Sequence, residues 1–459
     1  MAKRICDCEN ISVVEGIFGE LCPGKPFDIS NLSLNLVYSE YNVSENSKDD
    51  LKKVDSSLTS SLGEGDCHTS KPNSNAIPIK SYTLINANRM EVMIITYGAT
   101  IVSIKCPDKY GDTADIVLGY EDINSYVDPT LNPFMGCILG RCANRIKDGK
   151  FKIKDTDYSL TKNDMFKHHI HGGTDGFGKR LWEAHVEDCS YVVMSYLSDD
   201  GEEGYPGALL TTVKFKLTNE NRLEISMRAT TSKPTVVNLS YGTVFNLAGH
   251  DAGEDELRAH KISLNCDRWT FSEFENPLPT GAIRNVGGTI MDLRIPRFLG
   301  ELLEKVPQDG GFDHNFCVVR SSQPEPCFVA RVLHANSGRY IELYSDQPGV
   351  HLYTCGRFPP YRLKEESTES SKSSSSAGCE CECDCESLSD SQVSIKSNLE
   401  YLPGKRGAKY TRFTGFSIQP QNYPDAVNIP HFPCAILRPG QVYYHDLVYK
   451  FGVQLGGYA

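Results

Sequence analysis

Strict alternation of apolar and polar residues over successive short runs is the feature that most limits what this chain can fold into. Val213, Phe215 and Leu217 alternate with Lys214 and Lys216. After Asn219-Glu220-Asn221, the residues Leu223, Ile225 and Met227 alternate with Glu224, Ser226 and Arg228. A period of two places every second side chain on one face, so each pair of runs reads as a hairpin with one buried face. Phe328-Val329-Ala330-Arg331-Val332-Leu333 and Tyr340-Ile341-Glu342-Leu343, separated by Asn336-Ser337-Gly338, repeat the pattern and are expected to be antiparallel neighbours. Turn signals such as Pro107-Asp108-Lys109-Tyr110-Gly111 punctuate many short strands, and only Phe298 to Lys305 reads as a short helix. Runs of hairpins must bury their apolar faces against a second sheet, so the expected class is all-β, a large antiparallel β-sandwich.

The chain has 459 residues, enough for one large all-β domain with extra segments. Two stretches depart from globular composition. Residues 31–75 are rich in Ser, Asn, Asp and Lys, with too little apolar surface to offset the entropy of ordering. Residues 364–398 carry a serine tract and then alternate Cys379, Cys381, Cys383 and Cys385 with Glu380, Glu382 and Asp384. Both are expected to be disordered insertions in a single sandwich domain spanning residues 11–453.

Charge and cysteine usage narrow the partners. Fifty-nine acidic against 47 basic residues give a formal charge of −12, which disfavours nucleic acid and anionic membrane surfaces. The first ten residues contain no apolar run suited to a signal peptide or membrane span, so the expected location is the cytoplasm. Seventeen cysteines, an odd number without regular spacing, fit a reducing compartment in which most thiols are free. In that setting the sequons at Asn42 and Asn238 carry no meaning.

Polar and aromatic clusters recur, most of them marked by glycines. They include Gly140-Arg141-Cys142-Ala143-Asn144-Arg145-Ile146 and His169-Ile170-His171-Gly172-Gly173. Further along come Asn238-Leu239-Ser240-Tyr241-Gly242-Thr243-Val244-Phe245-Asn246-Leu247 and Gly311-Phe312-Asp313-His314-Asn315-Phe316. The last are Gln347-Pro348-Gly349-Val350-His351-Leu352-Tyr353 and Gly415-Phe416-Ser417-Ile418-Gln419-Pro420-Gln421. No phosphate loop, hydride-cofactor fingerprint or zinc protease motif is among them.

This ordered set resembles the galactose mutarotases, the aldose 1-epimerase family, from Ile11 to about Phe451. The resemblance implies a large twisted β-sandwich with an open sugar cleft, and interconversion of the α and β anomers of galactose and glucose without metal or organic cofactor. It also implies a monomer or weak dimer whose partner is a small sugar. Opening a hemiacetal ring requires a proton delivered to the ring oxygen and another removed from the anomeric hydroxyl. In the family the acid is a histidine and the base a glutamate. Here Gly242 stands at the histidine position and Gln419 at the glutamate position, so no catalytic residue is expected to be intact. A glycine has no proton to give and a glutamine amide does not titrate near neutral pH. Each lost acid–base group typically removes about 10²–10⁴-fold in rate.

Carried over position by position, Asn144, Arg145, His171 and Asp313 match the family's sugar-gripping residues, while His351 replaces a glutamine. Gln419 keeps the shape of glutamate and can donate to and accept from hydroxyls, so it joins the expected substrate-binding set. Each has a plainer reading: Arg145 as a surface ion pair, Asp313 as a turn cap, His171 as a satisfied loop histidine. A metal held by His168, His169 and His171 is not expected, because neighbouring side chains diverge and no further ligand is implied. The leading reading is a family member that binds an aldohexose with impaired or lost catalysis. One alternative is an active epimerase in which His351, Tyr241 or water substitutes for the missing groups. Another is an interaction or metal-handling protein whose four alternating cysteines bind a soft ion. Returning His to position 242 and Glu to 419 is expected to separate the first two readings.

Overall fold

The computed structural model describes residues 3–8, 11–21, 76–188, 190–273, 276–306, 310–320, 325–360 and 399–455. The segments expected to be disordered at 31–75 and 364–398 lie outside the described residues. Residues Met1–Phe18 with Ile79–Ala459 form one compact unit and Gly19–Pro78 another. Both large sheets described next lie in the first of these units.

The alternating runs become the long strands of a nine-stranded antiparallel sheet. Leu209–Leu217 pairs with Arg222–Thr231, placing Phe215 opposite Ile225 and Val213 opposite Met227. Cys327–His334 pairs with Arg339–Ser345, placing Val332 opposite Ile341, with one irregularity between Phe328 and Ala330. Between the two hairpins lies Tyr443–Val453, a strand from the far end of the chain that pairs with both. Such long-range pairing cannot be read from either hairpin alone. Asn221 closes the first hairpin with φ 58°, a left-handed conformation that asparagine tolerates better than most residues.

A five-stranded sheet follows the order Asn276–Asn285, Cys266–Glu273, Asp313–Val318, Gly349–Tyr353, Ser417–Gln421. Phe316, Val350, Leu352 and Ile418 from this sheet join Phe215, Ile225, Met227, Ile341, Leu343 and Tyr449 from the larger one in a single buried cluster. The molecule is therefore an all-β sandwich, as expected. Three short α-helices occur among the described residues, not one: Ile123–Val127, Gly253–Arg258 and Leu299–Leu303. The first is started by Asp122, whose carboxylate accepts the Ser125 N–H, and the second carries three acids in its first turn. With five and six residues they are too short for a helical period to show in the sequence.

Phe215 is fully buried and its ring meets Tyr241 edge-on at 5.9 Å, so it reports on the core between the sheets. Phe215→Ala should cost about 3–5 kcal/mol of unfolding free energy, measured by chemical denaturation. A loss below about 1 kcal/mol would show that this face is not packed as described.

Candidate functional site

The strands of the five-stranded sheet have two unlike faces, because their period is two. Phe316, Val350 and Pro420 stand opposite one another across three strands, and His314, Leu352 and Ile418 do the same; these fill the core side. On the other side Asn315, His351 and Gln419 form one cross-strand row and Asp313, Tyr353 and Ser417 the next. Facing residues of adjacent strands stand about 5 Å apart at Cβ, so His351 is flanked by Asn315 and Gln419.

Two loops bring the remaining polar groups over this row. Asn144 has φ 63° and its carboxamide oxygen accepts the Arg145 N–H at 2.9 Å. Its Nδ2 lies 3.2 Å from His351 Nδ1, and its own N–H donates to His171 Nδ1 at 3.1 Å. His171, with φ 53°, is tied back by donating its N–H to the Asn144 carbonyl at 3.1 Å. The loop after it is held by Glu203, whose carboxylate accepts the Asp175 N–H at 2.7 Å and the Thr174 N–H at 3.2 Å. The Glu203 loop is anchored in turn by buried Arg141, which donates to the carbonyls of Ser198, Asp199, Pro206 and Gly207.

Charge at the site is arranged as an alternating ring. Arg145 Nε donates to Asp164 at 2.6 Å, and its Nη2 lies 3.6 Å from Asp313. Arg357 reaches the same two carboxylates at 3.8 Å and 3.3 Å. His351 Nε2 lies 2.7 Å from the other Asp313 oxygen. Burial pushes the Asp313 carboxyl up, but Arg145, Arg357 and His351 outweigh it and hold it well below the usual aspartate range. The same contest, won by Arg145 and then Arg357, lowers Asp164. His171 is pushed down to about 3, first by burial and then by the Arg145 cation, so it stays neutral.

The two positions expected to lack acid–base groups show why they differ. A side chain at Gly242 would overlap the carbonyl oxygen of Phe134, and Gly242 exchanges backbone hydrogen bonds with Cys137 and Gly136. Glycine is therefore demanded by the approach of a neighbouring backbone, not by its own φ. The Phe134 ring lies 5.0 Å from the His171 ring, which links position 242 to the polar cluster. Gln419 donates from Nε2 to Ser417 Oγ at 3.1 Å, while its Oε1 is a buried acceptor with no hydrogen-bond partner among the described residues.

Asn144, Arg145, His171, Asp313 and His351 thus form one bonded network, with Gln419 beside His351 by register. Arg145 pairs with two buried carboxylates, not a surface one. Asp164 and Arg357 were not found by sequence reasoning: each is a single charge in a loop, and only the fold brings them to Asp313. The three histidines serve separate partners. His168 Nδ1 accepts the Asp148 N–H at 3.0 Å, and His169 bridges the Thr161 carbonyl and the Tyr205 hydroxyl at 2.7 and 2.6 Å.

The sequence profile of the aldose 1-epimerase family matches residues 80–450. Galactose mutarotase of Bos taurus is 36% identical over 369 residues, 80% of this chain and 93% of that protein, and the Homo sapiens protein matches to the same extent. Aldose 1-epimerase of Escherichia coli (strain K12) is 27% identical, covering 82% of this chain and 95% of its own. Among solved structures, the GalM/aldose epimerase homologue from C. elegans superposes with a TM-score of 0.65 at 25% identity, covering 80% of this chain and 97% of that one. Galactose 1-epimerase from Lactobacillus acidophilus gives 0.61 at 21% identity, over 84% and 97%.

The close approach of Phe134 predicts that Gly242→Ala destabilises the fold by about 1–3 kcal/mol, as overpacking does. Thermal unfolding of this variant beside Gly310→Ala, where nothing lies within 4 Å of an added Cβ and the φ is not left-handed, provides the comparison. An unchanged midpoint for Gly242→Ala would remove the steric explanation.

Proposed function

The chain belongs to the aldose 1-epimerase family, and we propose that it binds an aldohexose such as galactose or glucose at this site with catalysis impaired or lost. The observation that carries the reading is the pairing of an amide at 419 with a glycine at 242 whose side-chain space is taken by a backbone carbonyl. Mutarotation needs an acid at the ring oxygen and a base at the anomeric hydroxyl, and neither position supplies a titrating group. The gripping residues, in contrast, are held ready: the Asp313 carboxylate is kept ionised, Asn144 is fixed on both sides, and Gln419 Oε1 has no donor among the described residues, a place a sugar hydroxyl would fill.

The same geometry bears on the use of His at 242 and Glu at 419 to separate binding from turnover. Gln419→Glu changes one atom and fits, whereas Gly242→His needs the 134–137 backbone to move. A histidine placed there is expected to disturb the fold before it can act as an acid.

Active epimerase chemistry through His351 is the second reading, favoured by its place opposite Gln419 and its contact with Asp313. Both ring nitrogens already have partners, Asp313 at Nε2 and Asn144 at Nδ1. With both nitrogens engaged by fixed partners, the imidazole is held in place, which suits positioning better than proton shuttling. The metal-handling reading rests on cysteines outside the described residues. A cytoplasmic, cofactor-free, monomeric or weakly dimeric protein of hexose metabolism completes the proposal. No described helix is long and apolar enough to cross a membrane.

Ligand-observed NMR with D-galactose and D-glucose tests the binding. Saturation transfer from the wild-type protein, reduced at least about tenfold in affinity by Asp313→Asn, is the expected result, since a buried charged acceptor contributes roughly 1.5–3 kcal/mol. Absence of transfer to both sugars would overturn the reading.

A further inference from the structure

The site has two halves. Asp313, His351 and Gln419 stand on the five-stranded sheet, whereas Asn144, Arg145 and His171 come from the segments around 144 and 171. The turn that follows the strand Ser417–Gln421 joins them, and its centre is Asp425. The Asp425 N–H donates to the Arg145 carbonyl at 3.0 Å, and its Oδ1 accepts the Lys147 N–H at 3.1 Å. The same oxygen accepts from the Asn428 amide at 2.7 Å, and that amide also donates to the Lys150 carbonyl at 2.9 Å. One short turn thereby ties down residues 145, 147 and 150. Ala426 and Val427 pack against the buried cluster that contains Ile146, Phe151 and Tyr205, and Arg145 also pairs with Ile170, the residue before His171.

Asp425 is held there against the grain. It is 5% exposed and has φ 56°, in the left-handed region. Its donors are a backbone N–H and an amide, not a guanidinium as for Asp164 and Asp313. Burial pushes its carboxyl up to about 6, although the Lys147 N–H, the Asn428 amide and the Lys147 charge hold it down. Asp148 adds a negative charge nearby and is itself 3.7 Å from His168. The facing Cys142 thiol is pushed up to about 12, first by burial and then by Asp425, and stays neutral. A hydrogen bond to an ionised acceptor is roughly twice as strong as one to a neutral acceptor. The hold on residues 145–147 is therefore firm with the carboxylate and slacker with the acid. The turn keeps a charge where burial alone disfavours one, which points to a use beyond stability.

Resting on the sugar-binding reading above, we propose that Asp425 is a positioning residue: it sets the Asn144–Arg145 backbone against the strand that carries Gln419, and sugar affinity follows the charge on its carboxyl group. It acts through Arg145 and Lys147 and touches no sugar. The Asp313 and Asp164 carboxyls lie below the usual range and His171 is neutral, so these three keep their charge states while Asp425 changes its own near pH 6. Its folded-state value lies above the roughly 3.9 of an unfolded aspartate, so this group favours folding below about pH 4 and that contribution is lost as pH rises through about 6. Affinity runs the other way, rising as the carboxylate forms.

Isothermal titration of the full chain with D-galactose and D-glucose across about pH 5 to 8, on the wild type and on Asp425→Asn, tests this. Asparagine keeps the shape and tolerates the left-handed φ. The wild type should bind about five- to tenfold more tightly at the neutral end, the difference between a charged and a neutral acceptor, and the ratio should fall towards one below about pH 6. As pH falls over the same range, the unfolding free energy of the wild type should rise relative to the variant, a direction that loss of fold does not produce. Equal affinities at every pH, with either sugar still bound, would overturn this proposal and leave the sugar-binding reading standing. A deficit in the variant that is the same at every pH would reduce Asp425 to a structural role and overturn it as well. Binding of neither sugar by the wild type would overturn both readings. Should the variant not fold, the wild-type series decides: affinity that weakens as pH falls through about 6 supports the proposal, and affinity that does not overturns it.

Discussion

The guanidinium of Arg145, buried between Asp164 and Asp313, is the contact on which the site depends. It joins a loop at 164, a strand start at 313 and the segment carrying Asn144, three parts of the chain that share no local sequence signal. Taking such charges out of water is costly, and their mutual attraction offsets that cost only when every partner is present. Remove the cation and two buried carboxylates repel each other. Arg357 adds a second cation beside Asp313 and His351 a hydrogen bond to its other oxygen, so this strand end, the loop and the neighbouring strand are held in one geometry. Whatever binds here meets a preformed arrangement of donors and acceptors, with little ordering left to do.

Position 242 shows how a glycine becomes built into a fold. The carbonyl of Phe134 fills the volume next to the glycine Cα, and Gly136 and Cys137 bond to the same residue's backbone. Gln419 differs in kind, since an amide occupies the space of a carboxylate almost unchanged, and its pairing with Ser417 orients the free oxygen. A glutamate would fit at 419 with little change, whereas a histidine at 242 would meet the Phe134 carbonyl.

The hairpins at 209–231 and 327–345 were legible because alternation is a local property and the turn residues lie between the runs. The sandwich followed from the need to bury one face of each. The strand at 443–453 was not placed beforehand, because a strand's neighbours are chosen by long-range packing. At the site, Asn144, Arg145, His171, Asp313, His351 and Gln419 were singled out through ordered motif blocks; the fold bonds the first five into a network and sets Gln419 beside His351 by register. Asp164 and Arg357 escaped because a lone acid beside Asn163 and a lone arginine in a loop look like ordinary surface residues until the chain folds. The glycine at 242 was seen as a loss, and only the structure shows what occupies the space.

The central claim is a site that holds an aldohexose without the acid–base pair that opens its ring. Polarimetry of freshly dissolved α-D-galactose and α-D-glucose at neutral pH, with protein at a saturating fraction of the sugar, tests it most directly. The account predicts that optical rotation relaxes no faster than in buffer alone. Clear acceleration that disappears in His351→Ala would contradict it and assign the missing proton to His351.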